Sequence, residues 1–223
     1  MAQIILTIPG PWTSDPGLDT RPFSHTFGEA IPGLVDEMAE MAAPTEAFEK
    51  AELRALRKHT GVLFVTGPVA EGDLAPAKAA ARLMVDAFAA GALGAYVETA
   101  GKVISPKGAR GLNPTDPPTL FHLFVEVFRD ADRAVTEGMQ AFGLRDVEVP
   151  FSDEPGAKTA QAAAFGLAAK MVCDGVRPAA GHPFKASESA PLYRVFAGEP
   201  EPMPEGDEAL FVNPLGRWCL KPV

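Results

Sequence analysis

The sequence predicts an α+β fold: a mixed, largely antiparallel sheet with helices packed mainly on one face. Three observations carry the prediction. Short β-rich runs stop at turn residues, 3–8 at Pro9-Gly10-Pro11 and 62–65 at Thr66-Gly67-Pro68. Segments near 45–59, 74–90 and 156–174 place apolar residues at helical spacing, with charge on the other side. Between them, residues 120–151 read as a long strand, a short helix and a return strand.

Taken in order, the first strand covers 3–8. A long stretch rich in Gly, Pro, Ser and Asp follows to about residue 30. Loops of that length are often functional or mobile, which marks 12–25 for attention. Residues 31–42 have a weak helical pattern, with Leu34, Val35 and Met38 on one side. Thr45 is a reasonable cap for a helix to His59, with Glu46 and Glu49 at its positive end and Arg54, Arg57 and Lys58 at its negative end. Residues 62–65 suit an inner strand covered on both faces. An alanine-rich helix then runs to Ala90 and closes at Gly91. Residues 94–105 read as a hairpin or one bent strand.

Residues 120–129 alternate as a strand: Phe121, Leu123, Val125 and Val127 on one face, and Leu120, His122, Phe124, Glu126 and Phe128 on the other. Asp130 or Asp132, with Thr136 as a rival start, caps a helix through Ala134, Val135, Met139 and Phe142 that Gly143 ends. Residues 146–151 return as a half-buried strand, and a helix over 156–174 ends at Gly175. Residues 192–196 form a short strand. The acidic, proline-rich 198–208 reads as extended. A C-terminal hairpin over 209–221 turns at Asn213-Pro214-Leu215-Gly216. The whole of 1–223 reads as one domain.

The run Thr136-Glu137-Gly138-Met139-Gln140-Ala141-Phe142-Gly143-Leu144, with Asp146, Glu148 and Val149 behind it, resembles a signature of a bacterial domain-of-unknown-function family, T-x-G-[LM]-x-A-F-G-L-x-[DE]-x-E. Ala95-Tyr96-Val97 and Gly101 to Pro106 resemble the same family's preceding strand. The resemblance spans roughly residues 50–175. It implies an α+β domain and brings no activity, cofactor or catalytic residue.

Composition narrows the function. The net charge is −9, which disfavours a nucleic-acid backbone and an anionic membrane as partners. The two cysteines, Cys173 and Cys219, form no metal pattern and no disulfide framework. The apolar start has no basic leader, and no window reaches the ~20 apolar residues of a membrane span, so a cytoplasmic protein is expected. Phosphate-loop, nucleophile-elbow and zinc-protease motifs are missing, and the histidines are scattered singly. No metal and no cofactor are therefore expected.

Two constellations remain. His122 and Glu126 share a predicted strand face about 13 Å apart, and each needs a partner such as Glu148 or Glu98 to act as acid and base. The competing reading is a solvated sheet face. Lys107 and Arg110, in a Gly-Pro loop, offer an anion grip or simply a solvated loop. Cys173, at a helix C-terminus beside Asp174, reads as core packing. Trp12 and Trp218 read as packing of the terminal strands or as an interaction patch. The expectation is a non-catalytic binding or assembly module, as a homo-oligomer or with another protein. The alternative is a small-molecule enzyme using His122, Glu126 and Glu148.

Overall fold

A computed structural model describes residues 1–198 and 212–223. In chain order its elements are β1 (Gln3–Gly10), β2 (Ser24–Glu29), α1 (Leu34–Ala42), α2 (Lys50–Leu56), β3 (Gly61–Pro68), α3 (Ala75–Ala89), β4 (Ala95–Val97), β5 (Lys102–Ile104), α4 (Pro117–Phe124), β6 (Glu126–Arg129), β7 (Arg133–Glu137), β8 (Asp146–Pro150), α5 (Glu154–Cys173), β9 (Pro183–Phe184), β10 (Tyr193–Ala197) and β11 (Arg217–Pro222). The fold is α+β.

The strands divide between two sheets, where the sequence pointed to one. The first has the order β2-β3-β1-β4-β5 and the second β6-β7-β8-β11-β10-β9. Every pair is antiparallel except β8 with β11.

In the first sheet, Leu6 lies opposite Val65 and Val97, and Thr7 opposite Phe64 and Tyr96. The period of two sends these sets to opposite faces. Ile4, Leu6, Ile8, Leu63, Val65 and Val97 join α3 and the main core. Val62, Tyr96 and Val103 face Leu34, Val35 and Met38 of α1 and Leu56 of α2. The first sheet is thus covered on both faces, which corrects the expectation of helices mainly on one. In the second sheet, Ala134, Val147, Val149, Val195 and Leu220 join the same main core as α5. One apolar cluster therefore draws on both sheets.

The largest correction falls in 120–142. Residues 117–124 are helical, and the strand begins only at Glu126. Asp116 caps α4 by accepting the Thr119 N–H at 3.0 Å, and Pro117 and Pro118 stand in the first turn, where a missing N–H costs nothing. Leu120, Phe121, Leu123 and Phe124 are buried and His122 is exposed, which is helical spacing; a strand would place His122 on the same face as Leu120 and Phe124.

The helix expected from Asp130 or Asp132 is instead strand β7. A tight turn closes with Asp130 N–H on Arg133 O at 2.9 Å and pairs β7 with β6. Only Met139–Phe142 form a helical turn. It is bracketed by Gly138 (φ 97°) and Gly143 (φ 61°), both left-handed. A Cβ on Gly138 would sit 1.8 Å from Phe124 O, and one on Gly143 2.0 Å from Ala70 O. Both positions require glycine, and Gly143 does end a helical turn.

Elsewhere the boundaries move less. The second helix begins at Lys50, because Glu49 and Glu52 form a capping box in place of a Thr45 cap. α3 and α5 occupy the expected spans, with Asp153 capping α5 through Gly156 N–H at 2.7 Å. Residues 95–104 form a hairpin, β4 with β5. The second arm of the predicted C-terminal hairpin is β11, flanked by β8 and β10. Residues 209–211 of the first arm lie outside the described residues.

Candidate functional site

The edges of the two sheets meet where β5 and β6 approach each other. Among the described residues β5 pairs only with β4, and β6 only with β7. Lys102 of β5 crosses between them, its Nζ 2.9 Å from Glu126 Oε2 and donating to Val125 O at 3.1 Å.

The register fixes which backbone groups of β6 face outward. Asp130 and Arg133 close the turn through a hydrogen bond, and residue sums put Phe128 opposite Val135 and Glu126 opposite Glu137. Hydrogen-bonded pairs alternate in an antiparallel ladder, so Glu126 and Phe128 bond to β7. Val127 and Arg129 then direct their N–H and C=O groups away from the sheet. Val125 O, bonded by Lys102, belongs to the same outward row.

A groove of about 590 Å³ opens along this row. All four residues of β6 line it, those of both strand faces, so the groove meets the strand edge-on. The opposite wall is Gly101, Lys102 and Val103 with Met41, Pro44 and Ala47 from the end of α1 and the turn after it. The volume is that of a ligand or peptide pocket. Met41 and Phe128 are among the exposed large apolar side chains. Charges at the groove are largely spent internally: Lys102 on Glu126, and Arg129 on Glu154, which it grips with both terminal nitrogens. Glu40 has no ion-pair partner among the described residues.

His122, Glu126 and Glu148 are not brought together. His122 sits exposed on a helix, its ring centroid 5.7 Å from Phe121 and 5.9 Å from Phe165. Glu126 is in the groove. Glu148 projects from β8 on the sheet face away from α5, where its Oε2 takes Arg133 Nη1 and Arg217 Nη1, each at 3.1 Å. The second sheet therefore separates His122 from Glu148. Lys107 is engaged within the chain, and Arg110 is exposed. The Lys107 ammonium is 2.7 Å from Glu49, and its backbone N–H donates to Glu52 Oε1 at 2.8 Å. These bonds tie the loop to the N-terminus of α2. Cys173 is half-buried, and burial and Asp174 hold its thiol above its ordinary value. Trp12 donates to Ala90 O at 2.9 Å, and both tryptophans pack against the main core.

The resembling run 136–148 is occupied by structural work. Asp146 is buried and accepts bonds from Thr136 Oγ1 at 2.9 Å, Met139 N–H at 3.2 Å and Asn213 Nδ2 at 2.7 Å. Thr136 Oγ1 in turn accepts the Val147 N–H at 2.8 Å. Asn213 also donates to Leu144 O at 2.8 Å. Burial raises the Asp146 carboxyl to about 6 against the opposing pull of these donors. With glycine at 138 and 143 and a double ion pair at Glu148, the whole run joins β7, β8 and β11.

Sequence reasoning missed the groove and also a chain of polar groups in the long loop. Thr20 Oγ1 lies 2.8 Å from His25 Nδ1, and His25 Nε2 lies 3.0 Å from Asp15 Oδ2. Asp15 accepts the Gly17 N–H at 2.8 Å, which holds its carboxyl below the usual range. Thr20 is buried. The arrangement fastens the 12–23 loop onto β2. A cavity of about 370 Å³ beside it is lined by His25, Phe64 and Glu98. The loop length alone signalled this region.

Comparison with protein-family models, curated proteins and solved structures gives no match to this chain. Among the described residues no His, Cys, Asp and Glu cluster can hold a metal ion, and no helix is long and apolar enough to cross a membrane.

Proposed function

We propose that this protein is a non-catalytic, cytoplasmic module that binds a segment of another protein in the groove between β5 and β6. The observation that carries the reading is a largely apolar groove of about 590 Å³ running along the outer edge of β6, which has no strand partner there among the described residues. Apart from Glu40, its acidic and basic side chains are consumed in ion pairs within the chain, and no acid and base converge among the described residues. Recognition chemistry of this type rests on apolar anchors and backbone hydrogen bonds. Kinship with the bacterial family suggested by 136–148 belongs to the same proposal, and it supplies no catalytic residue.

The test is selection from a displayed random-peptide library on the wild-type protein and on Met41→Glu and Phe128→Glu. Both positions are exposed, so folding is retained. Sequences enriched on wild type and lost on both variants support the groove. Equal enrichment on all three proteins places recognition elsewhere and sinks the reading.

A further inference from the structure

We infer that the partner segment adds to the second sheet as an extra strand along β6, and that it is extended, apolar on alternate residues and basic. This deepens the reading above and rests on it. Val127 and Arg129 turn their N–H and C=O groups into the groove, and both residues line it. An unpaired edge of this kind is satisfied by a strand, which makes two bonds for each outward residue. A helix lying in the same groove leaves those groups unpaired.

Lys102 with Glu126, and Arg129 with Glu154, are neutral pairs. Glu40 remains at the groove, on a chain with net charge −9. Lys or Arg in the incoming segment complements it, and Asp or Glu is repelled. The apolar side chains of the segment meet Met41, Val103 and Phe128.

A second copy of the chain fits less well. Antiparallel pairing of β6 with its own copy about a two-fold axis sets outward residues opposite outward residues. The registers place Glu126 against Phe128, Glu126 against Asp130, or Arg129 against Arg129. Each sets an ionic side chain that is already held in a pair within the chain against an aromatic ring or a side chain of the same sign, with no new complementary contact.

The experiment uses the full chain and a synthetic N-acetylated, C-amidated Lys-Val-Thr-Val-Lys peptide. Comparison probes are the same peptide N-methylated on alternate residues and a version with Glu in place of Lys. Binding is followed by nuclear magnetic resonance titration, with amide hydrogen exchange read at each residue. The expected result is saturable binding below ~1 mM, with slowed exchange at the Val127 and Arg129 amides. N-methylation abolishes it, and the acidic version binds several-fold more weakly. Glu40→Lys weakens the basic peptide about two- to five-fold. Val127→Pro removes an outward N–H without touching the β7 ladder and weakens it about tenfold. Should that variant unfold, exchange at Arg129 and the N-methylated peptide decide alone.

If the peptide shifts Met41 and Phe128 but leaves both amides unprotected, and the N-methylated form binds equally, strand addition fails and the groove survives. If no peptide perturbs the groove, both proposals fail. If the free protein protects the two amides as its concentration rises, with self-association in sedimentation, the occupant is a second copy and the foreign segment is overturned.

Discussion

A carboxyl buried among hydrogen-bond donors links folding to pH, and Asp146 is such a group. Its folded value, about 6, lies above the ordinary 3.8, and burial is the leading cause. The native state therefore holds a proton that the unfolded chain has released between these values. Stability from this residue is full below about pH 4 and falls as pH rises through about 6, by on the order of 3 kcal/mol. Urea melts from pH 4 to 8 on wild type and Asp146→Asn test this: the variant loses the downward slope, and an unchanged slope assigns it elsewhere. The surface carboxyls held below their usual range, such as the half-buried Asp116 and the exposed Asp130 and Glu154, act in the opposite sense. Their stabilisation is lost as pH falls below about 4, and the difference between the two proteins cancels it. Asn213→Ala leaves Leu144 O and Asp146 Oδ2 without a donor and should cost about 2 kcal/mol at pH 7. Gly138→Ala and Gly143→Ala should each cost more than about 2 kcal/mol, since a left-handed backbone and a carbonyl oxygen within 2.0 Å of the new Cβ act together.

At the scale of elements, α4 depends on its cap. Asp116→Ala removes the bond to Thr119 N–H and is expected to lower stability by about 1 kcal/mol in urea titrations, whereas His122→Ala, exposed on the same helix, changes it by less than about 0.5 kcal/mol. This helix also shows why one part of the sequence misleads. Leu120 to Phe124 is almost wholly apolar, and such a run satisfies both periods. The deciding signal is the preceding Asp116-Pro117-Pro118-Thr119, a capping sequence. Once α4 is a helix, His122 leaves the sheet and the acid–base pair with Glu126 dissolves. β7 was equally hidden, because Asp130 serves a hairpin turn as readily as a helix cap. By contrast α3 and α5 were legible from caps, glycine stops and small-residue faces. The outward row of β6 is a property of pairing and was beyond the sequence. Amide exchange in the free protein checks that row: Val127 and Arg129 should exchange much faster than Glu126 and Phe128.

For the whole molecule, two sheets share one apolar cluster, and their free edges converge on the groove. The division into two sheets was not legible, since no local pattern states which strands pair. The α+β class was, because both periods recur along the chain. The double ion pair at Glu148 lies outside the groove, so Glu148→Gln should reduce stability by about 1 kcal/mol and leave peptide affinity unchanged. The proposed role of β6 is to receive an extended segment from another protein. A crystal structure of the chain with a library-selected peptide measures it most directly. The expected result is a peptide strand hydrogen-bonded to the backbone of Val127 and Arg129, with a basic side chain near Glu40. A peptide bound as a helix, or on a surface away from β6, would contradict it.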